Sequence, residues 1–266
     1  MSEKIVAIVP LNYFDSNVES LELGDRLTLR RAGVGEIQKL KESFPTARAV
    51  LGLALRNVTY VLEIELKPDY SLHWDEKSSE VQSTILALRL LKLGDANVSC
   101  SFILEDNIIY QCSLPPTSEP RLVNPYFLKK EEVEELKVIW NKLQNITSES
   151  YLHFPLERFM ESYEETTPED KIVESMVAFE SVVFHNVGDI GRKGIPLAIA
   201  VSMFLGNKRE ERDTIRENIR QAYDVRNARV HGLLDKLEKY RKQNNGELAL
   251  KAYDYLRRAL RKLVEE

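Results

Sequence analysis

The sequence predicts an α+β amino-terminal domain followed by an all-α helical bundle, and three observations carry that expectation. Over the first ~120 residues the hydrophobic pattern switches repeatedly between the alternation of strands and the 3.6-residue period of helices. After Pro125 convincing strand alternation disappears and helical periodicity takes over. Between the two lies "SLPPTSEPRLVNP", in which Pro115, Pro116, Pro120 and Pro125 follow closely on one another. Proline cannot donate a ladder hydrogen bond or sit inside a helix, so this stretch reads as a connector. The expected domains are therefore 1–120 and 125–266.

In order along the chain, "KIVAIVPL" and "RLTLRRA" read as strands and "VGEIQKLKESF" as a short helix. "VTYVLEIELK" is rich in β-branched and aromatic side chains, which suits a buried strand. "SSEVQSTILALRLLKLG" reads as a helix: Ser78 or Ser79 is placed to cap it, and Val81, Ile85, Leu88 and Leu91 share a face. Gly94 stands where a left-handed residue ends helices. Cys100 and Cys112 flank "SFILEDNIIYQ", a hairpin expected to turn about Asp106, so that Leu104 faces Ile108, Phe102 faces Tyr110 and Cys100 faces Cys112. Both cysteines are expected as free thiols in the hairpin core, where unoxidised cysteine packs as a small hydrophobe. Beyond the connector, helices are expected at 128–145, 153–165, 168–186, 194–206, 208–231, 233–242 and 246–264. "TTPEDK" at 166–171 is a good helix start, with threonine to cap, proline at the first helical position and acids in the first turn.

With 43% hydrophobic and 30% charged residues in 266, the chain has enough apolar material for two cores. No apolar run approaches the ~20 residues that span a bilayer. The start, "MSEKIVAIVPLNYFD", lacks the charged, apolar, small-residue order of a signal peptide, so cytoplasmic residence is expected. The formal net charge of −5 does not advertise nucleic-acid binding, but its distribution is uneven. Residues 208–266 hold 16 Lys and Arg against 11 Asp and Glu, while the rest of the chain is acidic. A basic carboxy-terminal quarter could draw a polyanion locally, although such charges most often solvate helix surfaces.

Within that quarter, "AYDVRNARVHG" puts Arg226, Asn227, Arg229 and His231 within six positions and stops on Gly232. Ile215, Ile219, Ala222 and Val225 form an apolar stripe, so the helix carrying them packs in a bundle. Asn227 and His231 share a face as i,i+4 neighbours, whereas Arg226 lies about 140° round the axis from His231. Gly232 should end the helix, leaving His231 at its negative end, where an imidazole holds its proton more tightly.

"YDVRNARVHG" resembles the signature of the HEPN superfamily: arginine, a polar residue, three variable positions, then histidine. The upstream "KIVESMVAFESVVFHN" and "GIPLAIAVSMFLG" are similar to its Apea-like branch, so the resemblance covers approximately 168–240. The amino-terminal half, with "LELGDRLTLRRAGVGEI", looks like an uncharacterised domain often fused ahead of such modules. The resemblance implies a bundle that dimerises with two motifs facing across a cleft, and metal-independent endoribonuclease activity. It implies that His231 handles the proton of the attacking 2′-hydroxyl or of the leaving 5′-oxygen, that Arg226 holds the scissile phosphate, and that Asn227 orients His231 or the phosphate. Dimer pairing would bring Arg226 and His231 of two chains to one phosphate. Arg229 and Arg220 are the candidates for RNA-backbone contact, with surface pairing to carboxylates the alternative for Arg229. RNA is the expected partner, with a homodimer and an antitoxin or nucleotidyltransferase beside it, as suits a toxin or defence effector. A non-catalytic HEPN module for dimerisation or for binding a nucleotide or partner protein is the alternative.

No cofactor or metal is expected: "AGVGE" is too short for a dinucleotide fingerprint, and no CxxC or His-x3-His pair occurs. Asp224 reads as a solvent-facing charge, Glu174 and Glu180 as helix-surface carboxylates that could face the cleft, His185 as a helix-end residue, and His73 and His153 as structural.

Overall fold

The computed structural model describes residues 5–67, 78–98, 100–106, 108–113, 124–187, 193–242 and 245–266. The chain divides into two compact units, 1–143 and 144–266. The first is built around β1 (Ile5–Asn12), in which every residue but Val6 is buried. A strand apolar on both faces belongs in the middle of a sheet, and β1 pairs antiparallel with β5 (Tyr60–Leu66) on one side and with β7 (Ser101–Glu105) on the other. The sheet runs β3 (Ser20–Glu22), β4 (Leu27–Arg31), β5, β1, β7, β8 (Ile108–Ser113), with β6 (Asn97–Val98) also against β1. Helices α1 (Glu36–Glu42) and α2 (Arg48–Ala54) bring Leu40, Leu51 and Ala54 onto Ile8, Val61 and Phe102.

The expected strands and the helix α3 (Ser79–Leu91) are present, but three details differ. Ser78 is the N-cap of α3, yet its hydroxyl makes no capping bond. Gly94 is not a left-handed cap: α3 stops at Leu91, and Lys92 turns out in extended conformation. Gly94 instead lets Tyr126 lie close, since a methyl there would come 3.1 Å from the Tyr126 Cα. The hairpin forms with a shifted register, Leu104 opposite Ile109 and Phe102 opposite Cys112. The turn falls one half-step later, with Asp106 in left-handed conformation, and a bulge between Ile103 and Leu104 shifts the pairing again. Both cysteines are free, Cys100 buried in the core and Cys112 packed against it.

The domain boundary lies further along than the prolines suggest. Tyr126–Leu128, expected to run into a helix, forms β9, which pairs in parallel with β2 (Phe14–Ser16). Its Tyr126 ring stacks on Phe14 and its hydroxyl donates to the Leu88 carbonyl at 2.9 Å. A single 3-10 turn, Lys130–Glu132, leads into α4 (Val133–Leu143), where Trp140 Nε1 donates to Thr84 Oγ1 on α3 at 3.2 Å. Strand pairing and tryptophan burial therefore tie 126–143 to the first unit.

The second unit is helical: α5 (His153–Glu164), α6 (Pro168–Val183), α7 (Gly194–Leu205), α8 (Arg209–Val230), α9 (Leu234–Arg241) and α10 (Asn245–Glu265). Thr167 caps α6 as expected, accepting from the Asp170 amide, with Pro168 in first position. Phe159 and Tyr253 stack at 4.7 Å between α5 and α10, with the Tyr163 ring 6.4 Å from that of Tyr253. The buried Lys171 ammonium donates to the Ser162 and Tyr163 carbonyls at the end of α5, where the helix dipole favours a cation. No described helix is long and apolar enough to cross a membrane. The chain is thus α+β with a helical carboxy-terminal part.

Candidate functional site

Helix α8 buries Ile215, Ile219, Ala222 and Val225, the stripe the sequence shows, together with Ala228, and so fixes which way its polar residues face. Its end is built by backbone geometry. Gly232 adopts φ 65°, its amide donates to Arg229 O at 3.2 Å, and the Leu233 amide reaches back to Ala228 O at 2.8 Å. These two bonds are the Schellman motif, which satisfies the last carbonyls of a helix. His231 is the C-cap residue, exposed, and its imidazole has no hydrogen bond or ion pair among the described residues.

Arg226 sits inward of that end. Its Nη1 donates to Asn227 Oδ1 at 3.1 Å, its guanidinium lies 5.7 Å from the centre of the Tyr223 ring, and its Nη2 lies 3.4 Å from Glu180 Oε1 on α6. That last contact is an ion pair without a hydrogen bond: Glu180 Oε1 and Arg226 Nε are both buried and unbonded. Lys193, just before α7, brings its Nζ to 3.8 Å from Glu180 Oε2. Burial, and then the nearby charge of Glu180, push the Tyr223 phenol above its ordinary range against the opposing charge of Arg226. The Tyr223 ring lies directly on α7, where a methyl on Gly194 would come 2.7 Å from its Cδ1.

The structure therefore brings Arg226 and Asn227 together and leaves His231 at the open end of the same helix. It engages the two further arginines elsewhere. Arg229 forms a two-pronged pair with Asp170 at 2.7 and 3.0 Å. Arg220 grips Glu217 at 2.7 and 3.0 Å, and with Gln221 holds that carboxyl down to about 2. Asp224 is exposed and faces Arg220 at 3.6 Å. Glu174 pairs with Arg158 at 3.1 Å, so of Glu174 and Glu180 only Glu180 meets Arg226. His185 lies against the Tyr151 ring at 4.9 Å, His153 faces Glu157 at 3.6 Å, and His73 lies outside the described residues. Sequence reasoning missed Lys193 and the role of Tyr223. The i,i+3 spacing from Tyr223 to Arg226 was an available signal, whereas nothing local marks Lys193.

Two other concavities offer less chemistry. An open cavity of about 270 Å³ between α6, α7 and α10 is lined by apolar side chains such as Phe179, Ala200 and Phe204. One of about 190 Å³ in the first unit holds Arg30, already gripped by Glu36 and Glu63. Among the described residues no cluster of three or more His, Cys, Asp or Glu is placed to hold a metal ion. Compared with protein-family models, with curated proteins and with solved structures, the chain matches none of them.

Proposed function

We propose that the protein is a metal-independent endoribonuclease of HEPN type, acting as a toxin or defence effector. The observation that carries this reading is the end of α8, where a guanidinium braced by Asn227 lies five residues before an exposed imidazole on the same helix. RNA supplies its own nucleophile. Attack of the 2′-oxygen on the adjacent phosphorus forms the 2′,3′-cyclic phosphate and breaks the bond to the 5′-oxygen, which leaves as a hydroxyl. The protein has only to move protons and offset charge. His231 takes the 2′-hydroxyl proton or supplies the one the 5′-oxygen needs, a role typically contributing ~10²–10⁴-fold. Arg226 faces the phosphate, where a preorganised cation acts as charge develops. Asn227, bonded to Arg226, keeps that guanidinium oriented.

A second copy of the chain completes the proposal. The outer face of α7 exposes Ile195, Ile199 and Met203 at four-residue spacing, an apolar stripe that a homodimer would cover. The non-catalytic reading, a HEPN module for dimerisation or nucleotide and partner binding, draws on the engagement of Arg226 by Glu180. Labelled RNA incubated in excess chelator with wild type and with His231→Ala separates the two. Cleavage to cyclic-phosphate ends by wild type, lost in a mutant that keeps its fold and oligomeric state, is expected; cleavage undiminished in the mutant refutes the enzyme assignment.

A further inference from the structure

Resting on that reading of α8, we propose that Glu180 is an exchangeable internal counter-ion: it holds Arg226 in the free protein and yields it to an RNA phosphate. Distances set Arg226 apart from other arginines of the helical unit. Arg229 meets Asp170 at 2.7 Å, Arg220 meets Glu217 at 2.7 Å, Arg241 meets Glu169 at 2.8 Å and Arg258 meets Glu211 at 3.0 Å. Those are the separations of charge-assisted hydrogen bonds. Arg226 and Glu180 approach only to 3.4 Å, and a buried donor and acceptor are left unbonded between them. Unbonded buried polar groups cost free energy, so this pair loses little when another anion arrives.

A phosphate offers a guanidinium the same two-oxygen geometry as a carboxylate. The obstacle to exchange is the stranding of Glu180, since an unpaired buried charge is expensive. Lys193 Nζ, 3.8 Å from Glu180 Oε2, remains to hold it. Glu180 thus sets how tightly a phosphate must bind before Arg226 is released.

Binding of a single-stranded RNA oligonucleotide with 2′-O-methyl riboses, whose blocked 2′-oxygen cannot attack, tests the exchange in the full-length protein. Glu180→Gln removes the competing charge at nearly constant size and is expected to lower the dissociation constant about fivefold or more, the usual lower range of a coupling between sites. Glu174→Gln removes an equal charge from the same helix, where Glu174 serves Arg158, and is expected to do less. In an Arg226→Ala background the advantage of Glu180→Gln over Glu174→Gln is expected to vanish. If Glu180→Gln folds poorly, Glu180→Asp, which withdraws the carboxylate by one methylene, is expected to give a smaller gain of the same sign. Equal effects of Glu180→Gln and Glu174→Gln, or a gain that survives loss of Arg226, overturn the proposal. Failure of wild type to cut unmodified RNA strikes the ribonuclease reading instead, and the binding comparison still decides the exchange.

Discussion

Asp170 and Arg229 show what a single charge pair decides. The hydrogen bonds of Arg229 hold the Asp170 carboxyl below its ordinary value, with Thr167 adding to them against burial. At the neighbouring Glu169 burial acts upwards, but Arg241, the helix backbone and Asn245 together outweigh it, and the carboxyl is again lowered. A carboxyl lowered in the folded state stabilises that state above its unfolded pKa, about 4, and the contribution is lost as pH falls through the folded value. Wild type is therefore expected to lose melting temperature steeply below about pH 4, whereas Asp170→Asn starts lower at neutral pH and changes less through the window. Circular-dichroism melts from pH 7 to 3 check this, and coincident pH profiles would refute it. The sequence displays Arg229 as a charge beside the motif without its partner, because Asp170 lies 59 residues away and only the packing of α6 on α8 joins them. The same holds for Glu180, legible as a carboxylate facing the cleft but not as the partner of Arg226.

Helix ends, by contrast, are local objects. Thr167-Pro168 and Gly232 each close a hydrogen bond within a few residues, which is why the sequence alone places the start of α6 and the end of α8. Elements that depend on distant pairing are not legible that way: β9 is three residues long and becomes a strand only because β2 lies beside it. The end of α8 gives a test at this scale. An alanine at 232 would meet nothing within 4 Å, so its cost is the left-handed backbone alone, about 1–2 kcal/mol. Gly232→Ala is expected to destabilise the helical unit by that amount in denaturant melts. It should also lower RNA cleavage by more than the loss of folded protein explains, because it re-aims His231, the residue before it. Cleavage per folded molecule equal to wild type would show that the turn matters only for stability.

Over the whole chain, the pattern of alternation followed by helices gave the α+β order, while the first compact unit runs to Leu143, past the expected edge at 120–125, and the expected connector at 114–123 lies outside the described residues. Proline reports where backbone hydrogen bonds stop, not where a core ends. The core of the first unit continues into Tyr126, Leu128, Leu136, Ile139 and Trp140, all buried. A fragment of residues 1–143 is accordingly expected to melt cooperatively, and a fragment of 1–124 to aggregate or melt at markedly lower temperature. The shorter one uncovers the apolar side of α3, from which the Trp140 indole and the Tyr126 ring have been removed. Losing several buried aromatic and aliphatic side chains, each worth ~1.5–3 kcal/mol, exceeds the stability margin of most domains. The complementary fragment, 144–266, keeps α5 to α10 and their shared core intact and is expected to fold alone with high helical content. Scanning calorimetry of the three fragments decides the boundary: equal cooperativity for 1–124 and 1–143 would return it to the proline segment and detach α4 from the helix α3 against which it packs.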